Sequence, residues 1–239
     1  MRGLVAHLRL ELALLARNGE SLLLTLGIPV LLLVFFSNVD VLPIDGEPIQ
    51  FLAPGVLALA VLSTALVQTA IGTGFEREYG VLKRLGATPL GRPRLLAAKT
   101  LAILVVELVQ GVVLWIVALA CGWSPSVSPG RLAAAVVLGT IGCAALGLCL
   151  AGTLRALATL AAANGLYLIL LLLSGMVIPL HELPSAARGV ARALPSGALA
   201  EAVRGSLTAG AHIPGRAWLV LAAWAIAAPV AATRLFRWE

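Results

Sequence analysis

The chain has 239 residues, 60% of them hydrophobic and 12% charged, with a mean hydropathy of +1.02 and a formal net charge of +6. A soluble domain of this length cannot hide that much apolar surface, so lipid is its main solvent and an ordinary water-soluble enzyme is excluded. The basic excess comes with no basic and aromatic stripe and no zinc-ligand spacing, which leaves a nucleic-acid partner without support.

At about 100° per residue, Leu4, Val5, Leu8, Leu12 and Leu15 share one face, while Arg2, Arg9 and Arg17 share another. Residues 1–20 are therefore read as an amphipathic helix lying in the membrane interface, with a plain basic flank as the alternative. Six apolar runs follow over residues 21–239: Ser21 to Phe36, Pro54 to Gly74, Leu95 to Cys121, Leu132 to Gly152, Leu157 to Pro179 and Ala217 to Thr233. About 20 helical residues cross a hydrocarbon core of about 30 Å, so the expected fold is an all-α membrane protein with six transmembrane helices. The first run holds Pro29 and is the shortest, but spread arginines and no small-residue cleavage site after Phe36 make it a retained helix.

With six spans and an inner N-terminus, twelve of the 17 Lys and Arg residues fall on the cytoplasmic side and five on the outer side. Asp40, Asp45 and Glu47 occupy the first outer loop without a basic residue. Both termini are thus expected in the cytoplasm, and membrane orientation accounts for the net charge.

Between the second and third runs, the stretch from Phe75 to Leu90 predicts a short helix over about 75–86. Glu76 and Glu78 suit a helix start, Lys83 and Arg84 its end, and Gly86 with Pro89 stops it. Tyr79, Leu82 and Leu85 are spaced three apart and give it one apolar edge.

Polar residues within the runs are costly against lipid and should face protein or water: Gln68, Glu107, Gln110 and Asn164. Glu107 is the acid set deepest in a span. Three roles stand open for it: a proton relay, a contact for a cationic amphiphile, or a carboxyl satisfied by a neighbour such as Gln110 at i+3. In the fourth run Gly139, Cys143, Gly147 and Ala151 recur every fourth residue, forming a groove for a close helix neighbour. Cys121, Cys143 and Cys149 match no disulfide framework and are read as small packing residues.

The segment from Met176 to Arg216 carries Pro179, Pro184, Pro195 and Pro214, yet Ala186, Val190 and Leu194 keep helical spacing, as do Leu199, Val203 and Leu207. Two short helices broken at Pro195 are expected in an outer hairpin over about 180–213. His181-Glu182 lacks the spacing of a zinc helix, and His7 and His212 have no partners in sequence, so no metal is expected.

The run Glu76-Arg77-Glu78-x-Gly80 with Leu82, Leu85 and Thr88-Pro89-Leu90 resembles the first cytoplasmic loop of the ABC-2 type permeases, the membrane subunits of bacterial ATP-driven exporters. Ser174-Gly175-x-x-x-Pro179, Leu183-Pro184, Leu194-Pro195 and Glu201-x-x-Arg204 resemble the segment beyond that family's fifth span. The resemblance covers essentially the whole chain. It implies that Glu76, Arg77, Glu78, Gly80, Leu82, Lys83 and Leu85 form a coupling helix seated on separate ATPase subunits. It implies too that Gly175, Pro179, Pro184, Pro195 and Arg204 belong to a re-entrant outer gate, and that a second permease copy or paralogue completes the pathway. An amphipathic loop resting on the lipid is the alternative reading of residues 76–85. No G-x-x-x-x-G-K-[ST] occurs, so no cofactor is expected on this chain, ATP and Mg being bound by the partner ATPase.

The expected function is export of a hydrophobic or amphipathic compound, an antibiotic, drug or lipid, across the bacterial cytoplasmic membrane. Candidate pathway residues are mostly Leu, Val and Ala, and the resemblance leans to the antibiotic-efflux branch. Polysaccharide or glycolipid export is the alternative, although few aromatic platforms are present. An ion-coupled secondary transporter using Glu107 would leave the loop at 76–85 without purpose. An intramembrane enzyme lacks clustered catalytic groups, so the chain is not expected to be an enzyme.

Overall fold

The computed structural model describes residues 12–13, 19–38, 47–86, 92–177, 180–182 and 184–235. The expected interfacial helix over residues 1–20 lies largely outside the described residues, as do Pro179 and the side chain of Leu85. Among the described residues every regular element is helical.

The helices fall over the apolar runs. They are α1 (Gly19–Asn38), α2 (Pro48–Leu62), α3 (Thr69–Glu78), α4 (Val81–Gly86), α5 (Arg92–Ala120), α6 (Pro129–Thr153), α7 (Ala156–Leu172), α8 (Ser185–Ala193), α9 (Pro195–Leu207) and α10 (Gly215–Leu235). A π-helical segment, Ser63–Gln68, joins α2 to α3, so that Pro48–Glu78 is one rod of 31 residues. Among the described residues four helices are long and apolar enough to cross a bilayer: this rod, α5 from Arg94, α6 and α10. Thr25–Ser37 and Ala156–Leu172 are shorter apolar helices. Length, apolarity and exposed aliphatic faces together make this a multi-pass membrane protein.

Two boundaries differ from the sequence expectation. The second run starts at Pro48, where proline suits the first turn, and Pro54 is buried six residues inside the helix. The fifth run stops at Leu172, because Ser174 and Gly175, with φ +73°, turn the chain before Pro179 is reached.

Helix α6 is the centre of the bundle and packs on the rod, α9 and, most extensively, α10. Its small residues allow this. A side chain at Gly147 would meet the Leu66 carbonyl oxygen of the π segment at 2.5 Å, and one at Gly139 would meet Leu199 of α9. By contrast α5 buries only one stripe, and Leu108, Val112 and Ile116 face outward as a lipid-facing helix requires.

Candidate functional site

Candidate residues gather at three levels. One end of the bundle carries α4. There the single helix expected over 75–86 is divided: Glu76, Arg77 and Glu78 continue the rod, and Gly80 turns the chain at φ +71° before α4 begins. Tyr79 caps the rod with a non-helical backbone and shows most of its ring. The division follows from Gly80, since an L side chain is strained in the left-handed region.

The side chains at this end split into two groups. Glu76 accepts from Lys99 Nζ at 2.6 Å, a pair in which Lys99 is almost wholly enclosed. Arg77 donates to the carbonyls of Ala151 and Leu154, filling acceptors left open at the end of α6. Leu82 is buried with Leu95, Leu96, Leu148, Ala228 and Ala232, which ties α4 to α5, α6 and α10. Glu78, Tyr79, Val81, Lys83 and Arg84 form the exposed group.

The second level lies midway along the helices. Glu107 Oε2 accepts from Thr140 Oγ1 at 2.5 Å, while Oε1 is buried with no donor. Gln110 is spoken for separately: its Nε2 donates to the Thr25 carbonyl at 2.7 Å and its Oε1 accepts from Thr64 Oγ1 at 3.0 Å. The i+3 contact between Glu107 and Gln110 is therefore not the one that satisfies either group. Gln68 ends the π segment, and both polar atoms of its amide are buried without a partner. Asn164 lies on an exposed face of α7 and donates to the Leu160 carbonyl one turn back, so within this chain it does not join the others.

Glu107 and Gln110 border a cavity of about 590 Å³ enclosed by the rod, α5, α6 and Val203 of α9. Its remaining walls are aliphatic apart from Trp115. That volume suits a small organic molecule.

At the opposite end α9 inserts between the long helices and nearly all of it is buried, while α8, with Ala191 its buried residue, lies on the surface beside it. Pro195 opens α9 directly after the extended Leu194. Ser196 Oγ donates to the Leu170 carbonyl at 3.0 Å, and Trp224 Nε1 to the Ala193 carbonyl at 3.0 Å. Arg204 donates to the Gly175 carbonyl at 3.1 Å and stacks over the Phe51 ring at 4.1 Å, locking α9 to the turn after α7 and to the start of the rod. Both carboxylate oxygens of Glu201 accept from one Arg216 nitrogen, Nη2, at 2.8 Å. Pro184 is exposed, just before α8.

The sequence did not mark Lys99, Thr140, Thr64 or Trp115. Lys99 counted only as a topology charge, and a threonine in an apolar helix ordinarily turns to its own preceding turn; the Val136 carbonyl lies 2.8 Å from Thr140 Oγ1 as the competing acceptor to Glu107. Among the described residues no three His, Cys, Asp or Glu side chains converge as a metal site would require.

A comparison with curated proteins returns no match. The family model of the ABC-2 type transporters matches residues 3–208, which takes in the rod, the division at Gly80, the cavity and the hairpin. The chain belongs to the ABC-2 type transporter family, as a membrane subunit without catalytic chemistry of its own.

Proposed function

We propose that this chain is the permease subunit of an ATP-driven exporter that carries a hydrophobic or amphipathic compound, an antibiotic, drug or lipid, out of the cytoplasm or inner leaflet. Hydrolysis takes place on separate ATPase subunits that bind ATP and Mg. Two permeases, identical or paralogous, enclose the route in the bacterial cytoplasmic membrane, each with six spans and cytoplasmic termini. In this reading α1 and α7 complete the six; α7, at about 26 Å, reaches across most of a 30 Å core.

The observation that carries the proposal is the family match together with α4, a short helix pinned by Leu82 with Lys83 and Arg84 left outward beside the exposed Tyr79 that ends the rod. A push from the ATPase on Tyr79, Val81, Lys83 and Arg84 moves a helix already fastened to α5, α6 and α10. The Glu76–Lys99 pair and the Arg77 bonds carry the displacement into the bundle, and the unbroken rod delivers it to Phe51 and Arg204 at the hairpin. In this account Gly175, Pro179, Pro184, Pro195 and Arg204 shape the outer gate, and Gln68, Glu107, Gln110 and Asn164 are the polar groups met by the cargo. The lining of aliphatic residues favours an amphipathic cargo over a glycan.

The test is isolation of the permease with its ATPase and a survey of compounds that stimulate hydrolysis. Glu78→Ala and Lys83→Ala are expected to reduce export at least tenfold with membrane insertion unchanged. Export that persists in both variants, or that needs a proton gradient and no ATP, refutes the assignment.

A further inference from the structure

We propose that the cavity beside Glu107 is a lateral binding site for an amphiphile with an ammonium head and no phosphate, taken up from the bilayer. Its position differs from that of a channel running between the ends of the bundle. The outward rim is formed by Leu108, Val112 and Ile116 of α5, which are 69%, 53% and 62% exposed, so the opening faces where lipid chains would lie. From Leu104 to Ile116 the wall extends about 18 Å along α5, enough for an alkyl chain laid beside the helix.

The chemistry of the head group follows from Glu107, the one ionisable residue in the lining among the described residues. Glu107 is 5% exposed, and one of its two oxygens already accepts from Thr140. The other, Oε1, is buried with no hydrogen-bond donor and almost no accessible surface, a costly arrangement that a turn of the carboxyl toward the cavity would let a ligand complete. A protonated amine supplies a donor and, by its own charge, favours the carboxylate form of Glu107 once bound. The ring of Trp115 offers a second attraction for a cation along the same wall. Among the described residues no Arg or Lys lines the cavity, so a phosphate would find no counter-charge there and a zwitterionic phospholipid head is rejected. The site rests on the exporter reading only for what later becomes of the ligand, since binding itself needs neither ATPase nor nucleotide.

The test uses the full chain alone in phosphatidylcholine nanodiscs, with a diazirine-bearing alkylamine and the alkanol of the same length as probes. Saturable amine labelling is expected on peptides covering residues 104–116 and 132–137, competed by dodecylamine and not by added phosphatidylethanolamine. Glu107→Gln, which keeps the acceptor for Thr140, is expected to lower that labelling at least tenfold and to erase the preference over the alkanol. Val136→Phe, which fills the cavity and leaves Glu107 in place, is expected to lower labelling by both probes. Equal labelling by amine and alkanol, labelling elsewhere, competition by phosphatidylethanolamine, or unchanged labelling in Glu107→Gln overturns the site while leaving the exporter assignment standing. Amine labelling that follows the expected pattern in a protein that never supports ATP-driven export upholds the site and removes the assignment.

Discussion

Lys99 and Glu76 show how a charge can be kept at the edge of an apolar bundle. Lys99 is nearly enclosed and Glu76 keeps some contact with solvent, so the pair lies between an exposed ion pair, worth under about 1 kcal/mol, and a fully buried one, whose breakage costs about 3–5 kcal/mol. Glu76→Gln or Lys99→Met is expected to cost about 2 kcal/mol, read as a lower unfolding midpoint in detergent. The double replacement should recover part of that loss, with a coupling energy above about 1 kcal/mol, and strict additivity would mean that the pair contributes nothing. This pairing was not legible beforehand, because it joins residues 23 positions apart at the ends of two helices. Glu107 was legible, since a carboxyl in an apolar run stands out by composition alone. Its partner was not, since Thr140 is 33 residues away and a helical threonine is ordinarily expected to bond its own preceding turn, whose Val136 carbonyl also lies within reach.

Among the elements, Gly80 separates two mechanical parts that periodicity had merged. Charges and apolar spacing run smoothly from Glu76 to Leu85, so pattern alone predicts one helix, and only the left-handed backbone at Gly80 divides it. Gly80→Val is expected to strain the turn by about 1–2 kcal/mol and to shift α4 off Leu95 and Leu148, lowering export more than protein level. Gly80→Asn, which tolerates that conformation better, should retain most activity; since a side chain at Gly80 meets open space, equal loss in both variants would mean that the left-handed backbone is not what the glycine supplies. The small-residue groove of α6 was visible as a four-residue repeat, and its consequence is sharper still. Gly147→Val sets a branched side chain against the Leu66 carbonyl and the Ala70 nitrogen, backbone that cannot swing aside. Loss of at least about 2 kcal/mol and a marked drop in folded protein are expected by size-exclusion profile, whereas Gly130→Ala, in open space, should be neutral. A normal profile for Gly147→Val would mean that the rod and α6 are farther apart than described.

For the whole molecule, the two ends are chemically unlike, and that difference turns an orientation argument into an experiment. The end with α4 is where Glu76, Arg77 and Lys99 cluster, and the opposite end is closed by polar contacts such as Gln50 to the Gly122 carbonyl and Ser126 N to the Leu207 carbonyl. Basic residues favour the cytoplasmic side because moving them across the bilayer is opposed. With Cys121, Cys143 and Cys149 replaced by Ala, single cysteines at Lys83 and at Thr208, both exposed, report on opposite ends. In intact cells an impermeant thiol reagent is expected to modify Thr208→Cys and to spare Lys83→Cys until the membrane is opened. The reverse pattern would place α4 outside, out of reach of any cytoplasmic ATPase, and modification of both in sealed cells would mean that the rod does not cross the bilayer. The rod ties these outcomes together: a single 31-residue helix joins the two ends, so wherever α4 stands, the start of the rod stands on the other side.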